Sequence, residues 1–149
     1  MLFIFSVTVF LFVAPAISTA LQHPHAGTWF PLFARWLTFW ACGVRLFLAG
    51  IRQTIQPGFT AKEIFQLDDA RAYPIVREVG FGNLAMGLLG LATIIRPVWL
   101  IPAALTGGLY YGLAGLIHLR KHRNPAETFT LLTDFWVFAI LAVFVFRNF

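Results

Sequence analysis

Five long apolar runs separated by short polar breaks set the pattern of this chain, covering about residues 2–20, 30–51, 74–95, 98–119 and 125–146. Each run is close to the roughly 20 residues a helix needs to cross the hydrocarbon core of a bilayer. The breaks carry turn chemistry: Gln22-His-Pro-His-Ala-Gly27, Gln56-Pro57-Gly58 and Arg96-Pro97. The fourth break, Arg120-Lys-His-Arg123, leads into Asn124-Pro-Ala-Glu127, which reads as N-cap, first-turn proline and acidic third position. The pattern predicts an all-α integral membrane bundle of five transmembrane helices in a single domain over 1–149. A four-helix core carries one additional N-terminal span.

Between the second and third runs, Thr60-Ala-Lys-Glu63 has the form of a capping box. It predicts a short amphipathic surface helix to about Ala72, with Ile64, Phe65 and Leu67 toward the membrane and Asp68, Asp69 and Arg71 toward water. In the first run, Ala14-Pro-Ala16 and Ser18-Thr-Ala20 resemble signal-peptide cleavage sites. No Lys or Arg precedes the run, and it reaches spanning length, so it reads as a retained span.

Composition sharpens this picture. The chain is 59% hydrophobic, 17% aromatic and only 11% charged, against roughly 25% charged in soluble domains. Mean hydropathy is +0.78. A net charge of +5 would point to nucleic acid in a soluble protein. Here the basic residues flank apolar spans, so anionic headgroups and the positive-inside rule account for them, and no nucleic-acid partner is expected. Arg52, Lys62, Arg71, Arg120, Lys121 and Arg123 fall on one side of the spans, and Arg35, Arg96 and Arg147 on the other. That asymmetry places the N-terminus inside and the C-terminus outside a cytoplasmic membrane. A single cysteine, Cys42, excludes an internal disulfide. His23 and His25 lack a third ligand, so no metal is expected. No phosphate-binding loop, nucleophile elbow, zinc-protease motif or haem-attachment motif is present.

The polar residues inside the spans carry the candidate chemistry. On a helix opening at Pro74, Gly80, Asn83, Gly87 and Gly90 share one stripe; Arg77 lies about 60° from it and Glu78 on the far side. On the fourth span, Ala104, Gly107, Gly108, Tyr111, Ala114, Gly115 and His118 fall within about 80° of one line. Arg45, Asn83, Tyr111 and Asp134 sit roughly 9–14 Å along their helices from the cytoplasmic ends, in one layer across four spans. Arg52, Arg77, Glu78 and His118 form a second layer nearer the surface. Ionisable groups at such depth face a bundle interior or a wet cavity.

Arg45 and Asp134 are the natural buried ion pair. Adjacent Arg77 and Glu78 diverge by about 100° and point to partners on other helices. The set Arg45, Arg77, Glu78, Asn83, Tyr111, His118 and Asp134 suggests an inner-leaflet polar pocket for an amphiphilic ligand, a lipid or a quinone, with Phe-rich walls for its tail. Against this stands a purely architectural reading. The glycines, as at Gly108-xxx-Gly112, then serve close helix packing, and the charges fix the register of the bundle.

Three functions follow from these readings. The leading one is a non-catalytic membrane subunit or binding module, a homo-oligomer or part of a larger membrane complex. A small proton-coupled transporter would use Asp134 or Glu78 as its titrating group. A membrane enzyme would use Glu78 and His118 as acid and base.

Three segments also carry a resemblance: Gly50-Ile-Arg-Gln53…Pro57-Gly-Phe-Thr-Ala61, Val76-Arg-Glu-Val-Gly-Phe-Gly-Asn83 and Gly107-Gly-Leu-Tyr-Tyr-Gly-Leu-Ala-Gly-Leu-Ile-His118. Across roughly residues 30–146 the chain looks like a family of small bacterial membrane proteins known as a domain of unknown function. That family is loosely similar to the DoxX-like four-helix membrane proteins. The Arg-Glu-x-Gly-x-x-Asn run and the terminal His are the most specific parts. Some DoxX-type proteins are associated with quinone-linked oxidoreductase complexes, so the resemblance implies a quinone or a partner subunit as a candidate. It carries over no catalytic residues.

Overall fold

The computed structural model describes residues 2–22, 24–25, 27–64, 66–119 and 125–148. All regular structure among them is helical. Five helices are long and apolar enough to cross a membrane: Ile4–Leu21, Trp29–Ile55, Ala70–Ala92, Pro97–Leu119 and Thr128–Asn148. This is an all-α helical membrane bundle.

Helix α1 covers residues 2–21, with a π-helical stretch, Val9–Val13, inserted before Ala14–Leu21. Pro15, one residue into the following α-helix, has no N–H and would clash with the carbonyl four residues back, and the wider π turn before it relieves that conflict. Helix α2 covers residues 29–55 and contains a second π-helical stretch, Thr38–Arg45. It outruns the expected span by four residues because no breaker occurs until Gln56, whose backbone (φ −126°, ψ 59°) leaves the helical region ahead of Pro57.

The short helix α3 (residues 57–64) corrects the expected capping box. Pro57 opens it, so Thr60 already lies inside with helical φ/ψ and is not an N-cap. Pro57, Thr60 and Ala61 are buried while Lys62 and Glu63 are exposed, an amphipathic pattern. Gly58 lies under the Tyr73 ring, so the helix packs on the start of the third span. It does not continue to Ala72: residues 66–69 are irregular, followed by a 3₁₀ turn at Ala70–Ala72. Asp69 caps that turn by accepting from the Arg71 N–H at 2.9 Å and pairs with its guanidinium at 2.8 Å. The hydrogen bonds from Arg71 hold the Asp69 carboxyl below the usual carboxylate range. Phe65 and the Ile64 side chain lie outside the described residues.

Helix α4 (Tyr73–Ala92) ends three residues short of the expected span. Residues 93–95 form turns, and Thr93 donates to the Gly90 carbonyl at 2.7 Å. A 3₁₀ turn, Pro97–Trp99, then leads into α5 (Leu100–Leu119). Helix α6 is Pro125–Asn148. The expected cap at Asn124 and the basic residues Arg120, Lys121 and Arg123 lie outside the described residues, as do His23 of the His23/His25 pair and the Glu127 side chain.

Helix α2 is the hub, touching α1, α4, α5 and α6, while α5 and α6 pack along their length. The core lies where α1, α2, α5 and α6 meet, around Leu11, Leu37, Leu46, Tyr111, Val137 and Leu141. Trp40 Nε1 donates to Ser18 Oγ at 2.9 Å and Phe12 stacks on Trp136 at 4.5 Å, joining α1 to the bundle. Burial on α4 follows Val76, Gly80, Asn83, Gly87 and Gly90, spaced 4, 3, 4 and 3 residues, the seam period of two helices crossing at a shallow angle.

Candidate functional site

The π-helical stretch of α2 ends at Arg45, and a polar cluster is built there. Arg45 Nη1 donates to the Tyr111 hydroxyl at 2.9 Å, and Tyr111 in turn donates to the Ala41 carbonyl at 2.9 Å. The guanidinium also lies 5.6 Å from the centre of the Tyr111 ring. Tyr111 is only 1% exposed, so both halves of its hydroxyl need partners, and both have them. Gly107, about one turn before it on α5, lies against Cys42 of α2 and lets the two helices lie close enough for this reach.

From α6 comes Asp134, 4% exposed and within the electrostatic reach of Arg45. Its Oδ2 lies 3.9 Å from Nε2 of His118, which is partly exposed near the end of α5. At that separation the pair is held by charge or through a small bridging group rather than by a direct hydrogen bond. Arg45, Tyr111, Asp134 and His118 thus form one cluster from three helices, and Arg45 spends its hydrogen bond on Tyr111 rather than on Asp134. Arg45 uses one of five donors. Among the described residues its remaining donors make no hydrogen bond.

The other three expected site residues are elsewhere. Asn83 is buried and donates through Nδ2 to Gln53 Oε1 at 2.8 Å, a bond between α4 and α2. Its Oδ1, and the buried Thr54 Oγ1, make no hydrogen bond among the described residues. Arg77 and Glu78 are both exposed on α4, away from its α2 seam. Neither forms an ion pair among the described residues. Gln53 is the functional-site neighbour that sequence reasoning passes over. Its signal is position: it precedes Thr54 on the α2 face marked by Gly43, Phe47 and Gly50, against Gly80 of α4.

A groove of about 370 Å³ opens between α5 and α6, lined by Ala104, Leu105, Gly108 and Leu109 on one side and Phe138, Leu141, Ala142, Val145 and Phe146 on the other. None of the seven expected residues lines it. Gly108 precedes Tyr111 by three residues and Phe138 follows Asp134 by four, so the groove begins about one helical turn from the cluster. No group of three or more potential metal ligands occurs among the described residues.

Comparison with curated proteins and with solved structures gave no match. A family model matches residues 1–148, so the shared unit takes in α1 as well as the four helices expected to carry the resemblance. The chain belongs to the DUF6790 family, a family of unknown function.

Proposed function

We propose that the protein is a non-catalytic membrane binding module that holds the polar head of an amphiphilic ligand, a lipid or a quinone, at the Arg45–Tyr111–Asp134–His118 cluster. The observation that carries this reading is the guanidinium of Arg45: it lies inside a spanning helix with one donor engaged by Tyr111 and the others making no hydrogen bond among the described residues. A planar fork of that kind suits a quinone carbonyl or a phosphate oxygen. His118, partly exposed, is the side from which a head group reaches the cluster, and the apolar groove one turn away suits the tail. Asn83, Arg77 and Glu78 fall outside this smaller site. The loose likeness to DoxX-like proteins supports a quinone as one candidate. The charge asymmetry of the loops supports a bacterial cytoplasmic membrane with the N-terminus inside.

Native mass spectrometry of the purified chain in mild detergent tests the proposal. Wild type is expected to retain a lipid or quinone mass. Arg45→Lys, which keeps the charge but loses the fork, is expected to release it while melting like wild type. A ligand-free wild type, or retention unchanged in the folded variant, refutes the reading.

The Asp134–His118 pair favours a second reading, a small proton-coupled carrier with Asp134 as the titrating group. Proteoliposomes would then show pH-dependent flux, abolished by Asp134→Asn in a chain that still folds. Glu78, exposed on the opposite side of α4, no longer shares that role.

A further inference from the structure

Helix α4 has a second seam, opposite the one it buries. Pro74, Glu78, Phe81, Ala85, Leu88 and Ala92 are spaced 4, 3, 4, 3 and 4 residues. The first five are exposed, Phe81 and Leu88 each at 55%. On the buried side the same spacing mates α4 with α2. Among the described residues the outward seam has no mate. Small Ala85 and Ala92 alternate along it with large Phe81 and Leu88, the relief that knobs-into-holes packing uses.

Its polar end identifies the mate. Glu78 lies on the seam and Arg77 immediately beside it, opposite charges that diverge along the helix and make no ion pair among the described residues. Both lie four to five residues, roughly 6–8 Å of helix, inside the start of α4 at Tyr73, in the layer nearer the surface. A carboxylate facing lipid there is costly unless paired. In a parallel two-helix seam, a residue at the position of Glu78 packs against the partner residue that precedes its equivalent. That residue is the second copy's Arg77. A two-fold axis along the membrane normal therefore forms two reciprocal pairs at once, satisfies all four charges, and closes the assembly at two.

We infer that the outward face of α4 is a homodimer interface, in which Glu78 of each protomer pairs with Arg77 of the other and Ala85 sits at the point of closest approach. The interface is on the opposite side of α4 from its Gln53–Asn83 contact and does not depend on any ligand at Arg45.

Disulfide trapping of the full chain in lipid bilayers tests it. Cys42 is buried, so the unmodified chain is its own background. Ala85→Cys is expected to give a covalent dimer on oxidation. Leu113→Cys, on the exposed stripe of α5, is expected to give none. Arg77→Glu should weaken dimerisation in nanodiscs at least about tenfold, since it sets like charges face to face. The double exchange Arg77→Glu with Glu78→Arg should restore it. Both residues are exposed, so the variants are expected to keep the wild-type melting profile of the protomer. A monomeric wild type, trapping through Leu113→Cys instead, or single-charge variants that dimerise like wild type overturns the inference.

Discussion

Two glycine-bearing interfaces run along the bundle, and they are built differently. Between α2 and α4, glycine meets backbone: a Cβ on Gly87 would fall 2.5 Å from the Phe47 nitrogen, and one on Gly43 would fall 2.9 Å from the Gly90 carbonyl carbon. Between α5 and α6, glycine meets side chains: a Cβ on Gly115 would come 3.3 Å from the Phe135 ring and one on Gly108 3.2 Å from the Leu141 Cβ. Backbone cannot turn aside, whereas a ring can shift. The first interface therefore fixes the path of the chain, and the side-chain hydrogen bond across it, Asn83 to Gln53, joins two neutral amides. The second is filled by adjustable side chains. The charged cluster and the open groove lie beside it.

The comparison fails first, if it fails, at Gly87. Gly87→Ala is expected to cost more than about 3 kcal/mol, the upper end of ordinary overpacking, because the obstructing atoms belong to the α2 main chain. Thermal unfolding in detergent reads the effect. A variant within 1 kcal/mol of wild type (roughly a fivefold change in equilibrium) would mean that α2 and α4 are not held backbone to backbone.

Arg45 probes the side of the molecule where charge does the work. Arg45→Met removes the cation that faces buried Asp134 and takes the donor from Tyr111, at an expected cost of about 3–5 kcal/mol. Adding Asp134→Leu should recover part of that loss, because the carboxylate left uncompensated is then gone too. A double-mutant cycle on thermal stability measures the coupling, and additive losses would show that the two groups act independently.

Tyr111→Phe is milder. The ring still fills its site, but the Arg45 guanidinium and the Ala41 carbonyl each lose a bond, for an expected cost of about 1–3 kcal/mol. If Arg45→Met has already been made, only the part of this cost that belongs to the Arg45 bond should vanish, since the bond to the Ala41 carbonyl is still there to lose.

These sites differ in how far the amino-acid sequence discloses them. Helical period is enough to place the spans, the buried stripe of α4 and the outward direction of Glu78. Equal depth along the spans brings Arg45, Tyr111 and Asp134 to one level, but depth says nothing about the angle around each helix. Charge alone therefore pairs Arg45 with Asp134 in the sequence, while the angle that turns Arg45 to Tyr111 is visible only in the fold. Asn83 shares the same depth argument but turns toward α2. Its partner Gln53 lies beyond the expected end of the second span at 51, whereas the helix continues to Ile55. The π-helical stretches have no sequence signature at Thr38–Arg45, where ordinary helix-compatible residues adopt the wider turn. In α1 the proline that follows supplies a reason after the fact.

Gly115→Ala is the smallest change expected and the counterpart of the alanine at Gly87. A Cβ here meets only the edge of the Phe135 ring, at 3.3–3.4 Å, and a ring displacement of a few tenths of an ångström accommodates it. Alanine also gains up to about 1 kcal/mol of helix propensity over glycine. The two contributions oppose each other, so the net change should stay within about 1 kcal/mol of zero, measured in the same detergent melts as Gly87→Ala. Because Phe135 neighbours Asp134, the variant has a second use. If ring movement reaches the cluster, Gly115→Ala will alter ligand retention without altering stability, an outcome that a rigid backbone contact could not produce. If it destabilises as strongly as Gly87→Ala, the α5–α6 interface is as unyielding as the α2–α4 interface, and the contrast between them does not hold.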